Sequence, residues 1–312
     1  MNHSLKKISI VIPAFNEGEN ITPLTKKIEE VFLGLNYDYE LIFVNDGSSD
    51  NTQKVLENLY QAHSKINYIE FSRNFGHQNA LKAGLDSASG DCVISMDCDF
   101  QHPPNLIPQF IKKWEEGYEI VYSIRKDSHS LTKFKRNTSK IFYSLINSIS
   151  DIHLEAGTAD FRLLDSKVVK VFSNFSESEP FIRGLIKWLG FKQVAILYTP
   201  GERYLGQSQY TFKKMISLAL QGITSFSIKP LHTAIYLGFT FSLLSLLYIP
   251  YVLYSFYTGA EVHGWASVIM TIVFFGGLQL VILGIIGIYI GKLFIQAKKR
   301  PNYIIRNTSL KI

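Results

Sequence analysis

The chain has 312 residues, of which 46% are hydrophobic and 19% are charged, and it contains two cysteines. These values exclude a disordered or collagen-like chain and a disulfide-stabilised scaffold. The formal net charge is +6, but residues 292–312 hold six basic residues and no acidic one. Because residues 1–291 balance at 26 basic and 26 acidic residues, the excess charge is confined to one terminal segment. The charge therefore does not indicate a nucleic-acid partner.

The first 125 residues alternate short apolar runs with amphipathic segments. This alternation predicts an α/β fold with a doubly wound, mostly parallel sheet. No G-x-G-x-x-G follows the first apolar run and no P-loop motif occurs, so neither a dinucleotide site nor a P-loop is indicated. Strands are predicted at 8–13, 40–44, 66–71, 92–96 and 119–124, with a helix capped by Asn20 and further helices near 51–62, 77–88 and 104–116.

Acidic side chains follow the predicted strands, where ligands of such sheets bind. Asp97 and Asp99 come directly after the strand at 92–96. In an extended chain, residues two apart face the same way, so both carboxylates could reach one ion. Mg²⁺ is often held by a few carboxylates together with phosphate oxygens of a substrate. The Asp-x-Asp pattern alone also fits two solvated loop acids, so the motif leaves both interpretations open.

Two long stretches near the end of the chain, 230–260 and 264–291, contain no Asp, Glu, Lys or Arg. A helix of 28 residues is about 42 Å long, which exceeds the roughly 30 Å hydrocarbon core of a bilayer. We therefore predict two membrane-spanning helices at about 231–257 and 266–291, with a buried hairpin in a soluble domain as the alternative. Pro250 should kink the first span, because proline lacks the N–H that a helix requires.

The distribution of lysine and arginine around these spans predicts their orientation. The loop between them carries Glu261 but no basic residue, whereas Lys213, Lys214 and Lys229 precede the first span and Lys292 follows the second. The positive-inside rule then puts both termini in the cytoplasm, at the inner face of a cytoplasmic membrane. No secretory signal peptide is evident at the N-terminus. The predicted organisation is a cytoplasmic domain (1–209), an interfacial amphipathic helix (210–229), a two-helix anchor (230–291) and a basic cytoplasmic tail (292–312).

Several motifs resemble those of the family 2 glycosyltransferases, and their order is similar to that of the polyprenyl-phosphate glycosyltransferases. This group includes dolichyl-phosphate mannose synthase and the bacterial undecaprenyl-phosphate glucosyl and aminosugar transferases. Together with the paired spans, the motifs extend the resemblance over nearly the whole chain. The motifs are Val11-Ile-Pro-Ala-Phe-Asn-Glu17, Val44-Asn-Asp-Gly-Ser-Ser-Asp50, Ser72-Arg-Asn-Phe-Gly-His77, Met96-Asp-Cys-Asp-Phe-Gln-His-Pro-Pro104, Gly157-Thr-Ala-Asp-Phe-Arg-Leu-Leu164, Phe181-Ile-Arg-Gly184 and Arg203-Tyr-Leu-Gly-Gln-Ser208.

The resemblance implies a GT-A fold, a nucleotide-sugar donor and a divalent metal, Mg²⁺ or Mn²⁺. The implied reaction is inverting transfer of a sugar from UDP-glucose or a related UDP-hexose to undecaprenyl phosphate at the membrane lipid surface. As partners the resemblance leaves open a homo-oligomer, a downstream flippase and an acceptor glycosyltransferase. Two rival functions also remain open: extension of a lipid-linked saccharide, and a non-catalytic scaffold that binds sugar nucleotides. The Gln-x-x-Arg-Trp motif of processive synthases is absent from the chain.

The resemblance also implies roles for individual residues. Asp97, Asp99 and Asp160 form the implied catalytic set, with Asp97, Asp99 and Gln101 at the metal and diphosphate and Asp160 facing the sugar. Nucleoside contacts are implied for Pro13, Phe15, Glu17, Val44, Asp46 and the backbone of Cys98. Phosphate or lipid contacts are implied for Gln101, Arg125, Arg136, Arg203 and Ser208, with Arg136 closest to the lipid phosphate.

Some of these residues have simpler explanations that the sequence leaves open. Arg125 and Arg136 could belong to a solvated helix face, since several lysines lie nearby. Asp160 could be a structural cap or turn residue, and Arg162 could be a salt-bridge partner. Asn45 stands where the family often has Asp, while Asp46 is retained.

Overall fold

The structure, a computed structural model, describes residues 5–126, 155, 157–178, 180–201, 222–259 and 264–310. The five strands and four helices predicted up to residue 125 are confirmed, with ends that differ by a few residues. A short 3₁₀ turn, Pro104–Leu106, precedes the fourth helix. The strands are β1 (Lys7–Ala14), β2 (Asp38–Asn45), β3 (Ile66–Phe71), β4 (Cys92–Ser95), β5 (Ile120–Arg125), β6 (Thr158–Asp165), β7 (Gln193–Tyr198) and β8 (Ile305–Thr308). The helices are α1 (Gly18–Phe32), α2 (Thr52–Ala62), α3 (His77–Ser87), α4 (Ile107–Glu115), α5 (Ser166–Ser173), α6 (Ile182–Trp188), α7 (Lys229–Leu246), α8 (Tyr248–Tyr257) and α9 (Trp265–Ala297).

The start of α1 differs from the prediction that Asn20 caps it. The helix begins at Gly18, and Asn20 is buried inside its first turn. The amide of Glu17 donates to the Thr52 hydroxyl (3.0 Å) and that of Gly18 to Asp50 (3.3 Å). These two side chains at the start of α2 satisfy backbone N–H groups at the start of α1.

The eight strands form one mixed sheet in the order β7-β5-β6-β4-β1-β2-β3-β8. Parallel pairing joins β4, β1, β2 and β3 in its centre and also joins β5 to β7. The exceptions are β6, which is antiparallel to both β4 and β5, and β8, which is antiparallel to β3. The predicted mostly parallel, doubly wound sheet is therefore confirmed.

Both faces of the central strands are buried, because helices cover each side. Along β1, Ile8, Ile10 and Ile12 pack into one apolar cluster with residues of α1, α2 and α4. Val11 faces the opposite cluster, with residues of α3, α5 and α6. Near-continuous apolar strands are the expected consequence of burial on both faces.

The strand order reverses between β1 and β4, since β2 lies on one side of β1 and β4 on the other. Ligands of open α/β sheets bind outside the carboxyl ends of the strands at such a switch point. The antiparallel strand β6 pairs Arg162 with Ser95 near the end of β4. The start of β6, including Asp160, therefore lies just beyond the carboxyl end of β4.

Two helical segments in the C-terminal part are long and apolar enough to cross a membrane, Lys229–Ser255 and Ser267–Ala297. The first is interrupted at Leu247, between α7 and α8. Pro250 lies in the first turn of α8 and cannot donate a hydrogen bond to the carbonyl of Leu246. The predicted effect of Pro250 therefore takes the form of a helix break just before it.

The segment after the second long apolar helix returns to the sheet. Helix α9 continues to Ala297, and Ile305–Thr308 then pairs with β3 as an edge strand. The ring of Tyr303 stacks on that of Phe71 at 5.1 Å, and Arg306 forms an ion pair with Glu70 (3.2 Å). An exposed sheet edge offers unpaired backbone groups, and the returning segment satisfies them.

Candidate active site

The loops that follow β1 and β2 are joined by hydrogen bonds from small polar side chains. The side-chain oxygen of Asn16 accepts from the amide of Ser49 (2.9 Å), while the amide of Asn16 donates to the Ser48 hydroxyl (2.9 Å). Asn45 is buried and its oxygen accepts from the amide of Ser48 (2.9 Å). An amide side chain thus holds this loop without adding a charge.

Asp46 is buried at the end of β2 and holds the next loop in place. Its carboxylate accepts hydrogen bonds from the amides of Phe75 (2.6 Å) and Gly76 (2.9 Å). Burial raises the pKa of Asp46 above its usual range, and these two bonds oppose that effect. Gly47 has a φ of +66°, and a Cβ there would lie 2.3 Å from the carbonyl carbon of Arg73. Only glycine fits where the two loops meet.

The other implied nucleoside contacts differ in how accessible they are. Phe15 is 46% exposed at the end of β1, and Glu17 is half-buried beside it, where it accepts from Asn20. Pro13 and Val44 are buried neighbours on β1 and β2. Phe15 and Glu17 therefore have side chains open to a ligand, whereas Val44 lies wholly in the core.

Asp97 and Asp99 follow the end of β4 on either side of Cys98. Both aspartates are partly exposed, whereas Cys98 is buried in the apolar core. Burial raises the pKa of the Cys98 thiol well above its usual range, which leaves its backbone as the group able to contact a ligand. Asp99 accepts from the amide of Gln101 (3.1 Å), and this bond shapes the turn.

His102 holds the Asp97 loop from beneath. Its Nδ1 accepts a hydrogen bond from the amide of Asp97 (2.9 Å), and its ring stacks on Phe161 at 5.2 Å. The side chain is almost fully buried, and burial lowers the pKa of His102 below its usual range. A neutral ring with Nδ1 as acceptor fits a structural role.

The residues fit a metal that substrate phosphates help to bind. Oδ1 of Asp97 is buried and accepts no hydrogen bond within the described part of the chain, although Nε2 of His77 lies 3.5 Å from it. Among those same residues, no group of three or more His, Cys, Asp or Glu side chains is arranged to hold an ion alone. Mg²⁺ commonly keeps only one or two protein carboxylates and takes its other ligands from phosphates and water.

Asp160 is the centre of a buried charge cluster. Its two oxygens accept hydrogen bonds from Nε and one terminal nitrogen of Arg183, each at 2.8 Å. Arg162 adds a contact at 3.2 Å, and both Asp160 and Arg162 are almost fully buried. Burial alone would raise the pKa of Asp160, but the charge and hydrogen bonds of Arg183 hold it well below its usual range. Asp160 is therefore an ionised ion-pair residue, and neither a helix cap nor a proton acceptor at neutral pH.

His77 connects the two acidic groups of the site. This histidine is the first residue of α3, and its Nε2 lies 3.5 Å from Asp97 and 3.7 Å from Asp160. Burial alone would lower the pKa of His77, but its close contact with Asp160 and the charges of both aspartates raise it to about 9. A protonated imidazole is thus stabilised between the carboxylates.

Arg183 is the contact that sequence reasoning missed. Its motif, Phe181-Ile-Arg-Gly184, carries part of the family resemblance, but no role was assigned to the arginine. A signal was available, because Arg183 is the one charge between Phe181 and Ile186. Asp160 and Arg162 also lie two apart on a strand and so share a face, where a buried carboxylate requires cationic partners.

Arg125 lies at the exposed end of β5, where it donates a hydrogen bond to the side-chain oxygen of Gln101. The side chain of Gln101 is therefore tied to Arg125, and the roles of Gln101 at the metal and of Arg125 at a phosphate stay predictions. Three other implied residues, Arg136, Arg203 and Ser208, lie outside the described residues. So does most of the predicted interfacial helix 210–229.

Comparisons with known proteins identify the family of the chain. Residues 9–172 match the family described as glycosyl transferase family 2. The chain is 43% identical to the uncharacterized glycosyltransferase YkcC of Bacillus subtilis, over 96% of this chain and 93% of that protein. It is 39% identical to the bactoprenol glucosyl transferase of Shigella phage SfV, over 98% of this chain and 100% of that protein.

A solved structure matches the fold over nearly the whole chain. It is the mannosyltransferase PcManGT from Pyrobaculum calidifontis in complex with GDP-Man and Mn²⁺. The two chains are 14% identical, the match covers 95% of this chain and 87% of that one, and the TM-score is 0.50. The GT-A-like fold and the extended match to family proteins lead to one conclusion: this chain belongs to glycosyl transferase family 2 and is a glycosyltransferase.

Proposed function

We propose that this enzyme transfers a hexose from a nucleotide sugar to a polyprenyl phosphate at the cytoplasmic face of a membrane. The main observation behind this proposal is a pair of acidic groups where the strand order of the sheet reverses. Asp97 and Asp99 form one group, and the Asp160 cluster forms the other. The relatives named as bactoprenol glucosyl transferases support a lipid phosphate acceptor, because they match nearly the full chain. The two apolar helical segments would anchor the catalytic domain where such an acceptor lies.

The proposed acceptor needs little help to become a nucleophile. A phosphate monoester has a second pKa of about 6 and is largely dianionic at neutral pH. One of its oxygens would attack the anomeric carbon while the bond from that carbon to the nucleoside diphosphate breaks. Direct displacement of this kind inverts the anomeric centre. No general base is required, which agrees with an Asp160 whose two oxygens are both bound by Arg183.

The main chemical task is to stabilise charge on the departing diphosphate. Asp97 and Asp99 would hold a divalent metal there, and when bound such an ion offsets the charge that develops on the leaving group. Arg125 lies on the same side through its bond to Gln101, and its planar guanidinium suits a phosphate. Asp160 would orient the sugar or support positive charge at the anomeric carbon, and His77 keeps the two carboxylates at a fixed separation.

UDP-glucose is the proposed donor and undecaprenyl phosphate the proposed acceptor, both from the resemblance to bacterial enzymes. Phe15 and Glu17 would contact the nucleoside, since their side chains are accessible at the end of β1. Arg136, Arg203 and Ser208 would bind phosphates, with Arg136 nearest to the lipid.

Incubation of membranes with radiolabelled nucleotide sugars, followed by lipid extraction, tests the proposal. We expect a labelled lipid that mild acid hydrolyses, and an Asp99→Ala variant in matched membranes should give none. Label that appears in an oligosaccharide on a pre-existing lipid-linked chain would support the extension alternative. Donor binding without transfer to any acceptor would support a non-catalytic scaffold.

A further inference from the structure

An exposed aromatic group lies on the catalytic domain away from the carboxylates. Trp188, at the end of α6, is 62% exposed, and its ring meets that of Phe175 edge-on at 5.9 Å. Val171 on α5 is 42% exposed, and Lys170 beside it is exposed as well. We call these four residues the Trp188 corner. Exposed apolar side chains that form a patch on one surface mark interaction sites, including contacts with membranes.

One side of this corner is tied to the end of the second span. Gln296 of α9 donates to the carbonyl of Ser176 (2.9 Å) and accepts from the amide of Ser178 (2.8 Å). Phe175 directly precedes Ser176. Gln296 lies four residues after Lys292, the first charge beyond the apolar stretch, which is about 6 Å along the helix axis. Since the headgroup layer is roughly 5–8 Å deep on each side of a bilayer, this loop would lie at headgroup level.

The other end of α6 is tied to the start of the first span. The rings of Phe181 and Phe226 lie 6.0 Å apart, and Phe226 precedes the first residue of α7, Lys229, by three residues. Gly184 lies so close to Phe226 that an added Cβ would be 2.5 Å from its ring. Helix α6 is therefore held between the ends of both membrane segments.

We propose that the Trp188 corner inserts into the headgroup layer of the same leaflet as the two spans, as a third contact between the catalytic domain and the bilayer. The inference rests on the membrane location given under the proposed function. Tryptophan concentrates at membrane–water interfaces, and Lys170 would meet anionic headgroups. Because α6 also carries Arg183, this contact would fix the height of the Asp160 cluster above the lipid phosphates.

The three tryptophans of the chain provide a test with internal controls. Each of Trp114, Trp188 and Trp265 is kept alone, with the other two changed to Phe, in the full chain reconstituted into liposomes. The lipids carry bromine either near the headgroup end or near the methyl end of the acyl chain, and no donor or acceptor is added. Trp188 should lose more fluorescence with the shallow bromine than with the deep one. Trp114, whose indole N–H donates to Asp165 on the catalytic domain, should keep its fluorescence with both.

Trp265, at the start of the long apolar helix, reports whether the protein is in the bilayer at all. If Trp265 is quenched but Trp188 stays as bright as Trp114, the proposed corner is refuted while the membrane location stands. If none of the three is quenched, the membrane location itself fails and the corner with it. Neither result depends on sugar transfer, so failure of the proposed reaction would be seen separately.

A second measurement avoids removing any tryptophan. Cys92 and Cys98 are both buried, so a spin label on a Val171→Cys variant reports on that position alone. In liposomes the label should collide more often with membrane-dissolved oxygen than with an aqueous nickel complex. The same label at Lys113, an exposed position on α4 beside Trp114, should show the reverse. If the label collides with oxygen and with the nickel complex in the same proportion at both positions, the inference is overturned.

Discussion

The charge cluster around Asp160 makes a quantitative prediction about stability. Asp160→Asn keeps the shape of the side chain but removes the carboxylate charge that pairs with Arg183 and Arg162, and it leaves Arg162 buried beside a second cation. Burial already lowers the pKa of Arg162 to about 10, yet at neutral pH the guanidinium stays protonated. The substitution therefore leaves an uncompensated positive charge in the core.

The size of the effect follows from burial. Asp160 and Arg162 have side chains that are 5% and 3% exposed, and that of Arg183 is 30% exposed. Removing one partner of a buried pair costs about 3–5 kcal/mol of unfolding free energy. For a domain of this size, each kcal/mol shifts the melting temperature by roughly 2–4 °C. The melting temperature of Asp160→Asn should therefore fall by roughly 6–20 °C.

Thermal unfolding of the purified protein in detergent, followed by circular dichroism, measures the change. Glu116→Gln is the matched control, because it breaks a solvent-exposed pair with Lys113 of similar length (2.7 Å). That control should leave the melting temperature unchanged, since water screens exposed pairs. If Asp160→Asn and the control variant have the same melting temperature, the cluster does not stabilise the fold and its role must be chemical only.

Three further predictions follow from the site. Asp97→Ala or Asp99→Ala should abolish sugar transfer while the circular dichroism spectrum stays unchanged. EDTA should stop the wild-type reaction. Near-normal turnover in any of these cases would remove the metal from the mechanism. Gly47→Ala should destabilise the protein and weaken donor binding, because its Cβ would meet the Arg73 backbone. Gly117→Ala is the control: its φ is also positive, +88°, but no atom lies within 4 Å of its Cβ. That variant should lower the free energy of unfolding by only about 1–2 kcal/mol. The contribution of His77 to stability should be complete below pH 6.5 and disappear as pH rises through about 9, since its pKa is raised. Over that interval the melting temperature of His77→Gln should fall less than that of the wild type. Identical pH profiles of the two proteins would contradict a protonated His77 in the fold.

The order of elements could be predicted from the sequence because each signal is local. Apolar runs such as 8–13 and 40–44 must be buried on both faces, and the amphipathic segments between them have one apolar side. The positions of Asp97 and Asp99 followed from the same logic, since residues after parallel strands meet at one edge of the sheet.

The contacts that sequence reasoning missed join distant parts of the chain. Strand β8 pairs with β3 across more than 230 residues, and no local pattern in 303–308 identifies its partner. Arg183 reaches Asp160 across 23 residues, and only the antiparallel insertion of β6 brings Asp160 beside Asp97. His102 bonds to the backbone of its own loop, but its burial beneath Asp97 depends on Phe161 of β6, another distant contact.

The central claim is that one hexose is transferred to the phosphate of a polyprenol. Mass spectrometry of the lipid formed by purified enzyme in liposomes, supplied with undecaprenyl phosphate, Mg²⁺ and UDP-glucose, tests it most directly. We expect a single product whose mass is that of the acceptor plus one hexosyl residue, with one phosphorus atom, and none with Asp99→Ala. A product that carries two phosphorus atoms or a chain of sugars, or unchanged acceptor across a panel of nucleotide sugars, would contradict it.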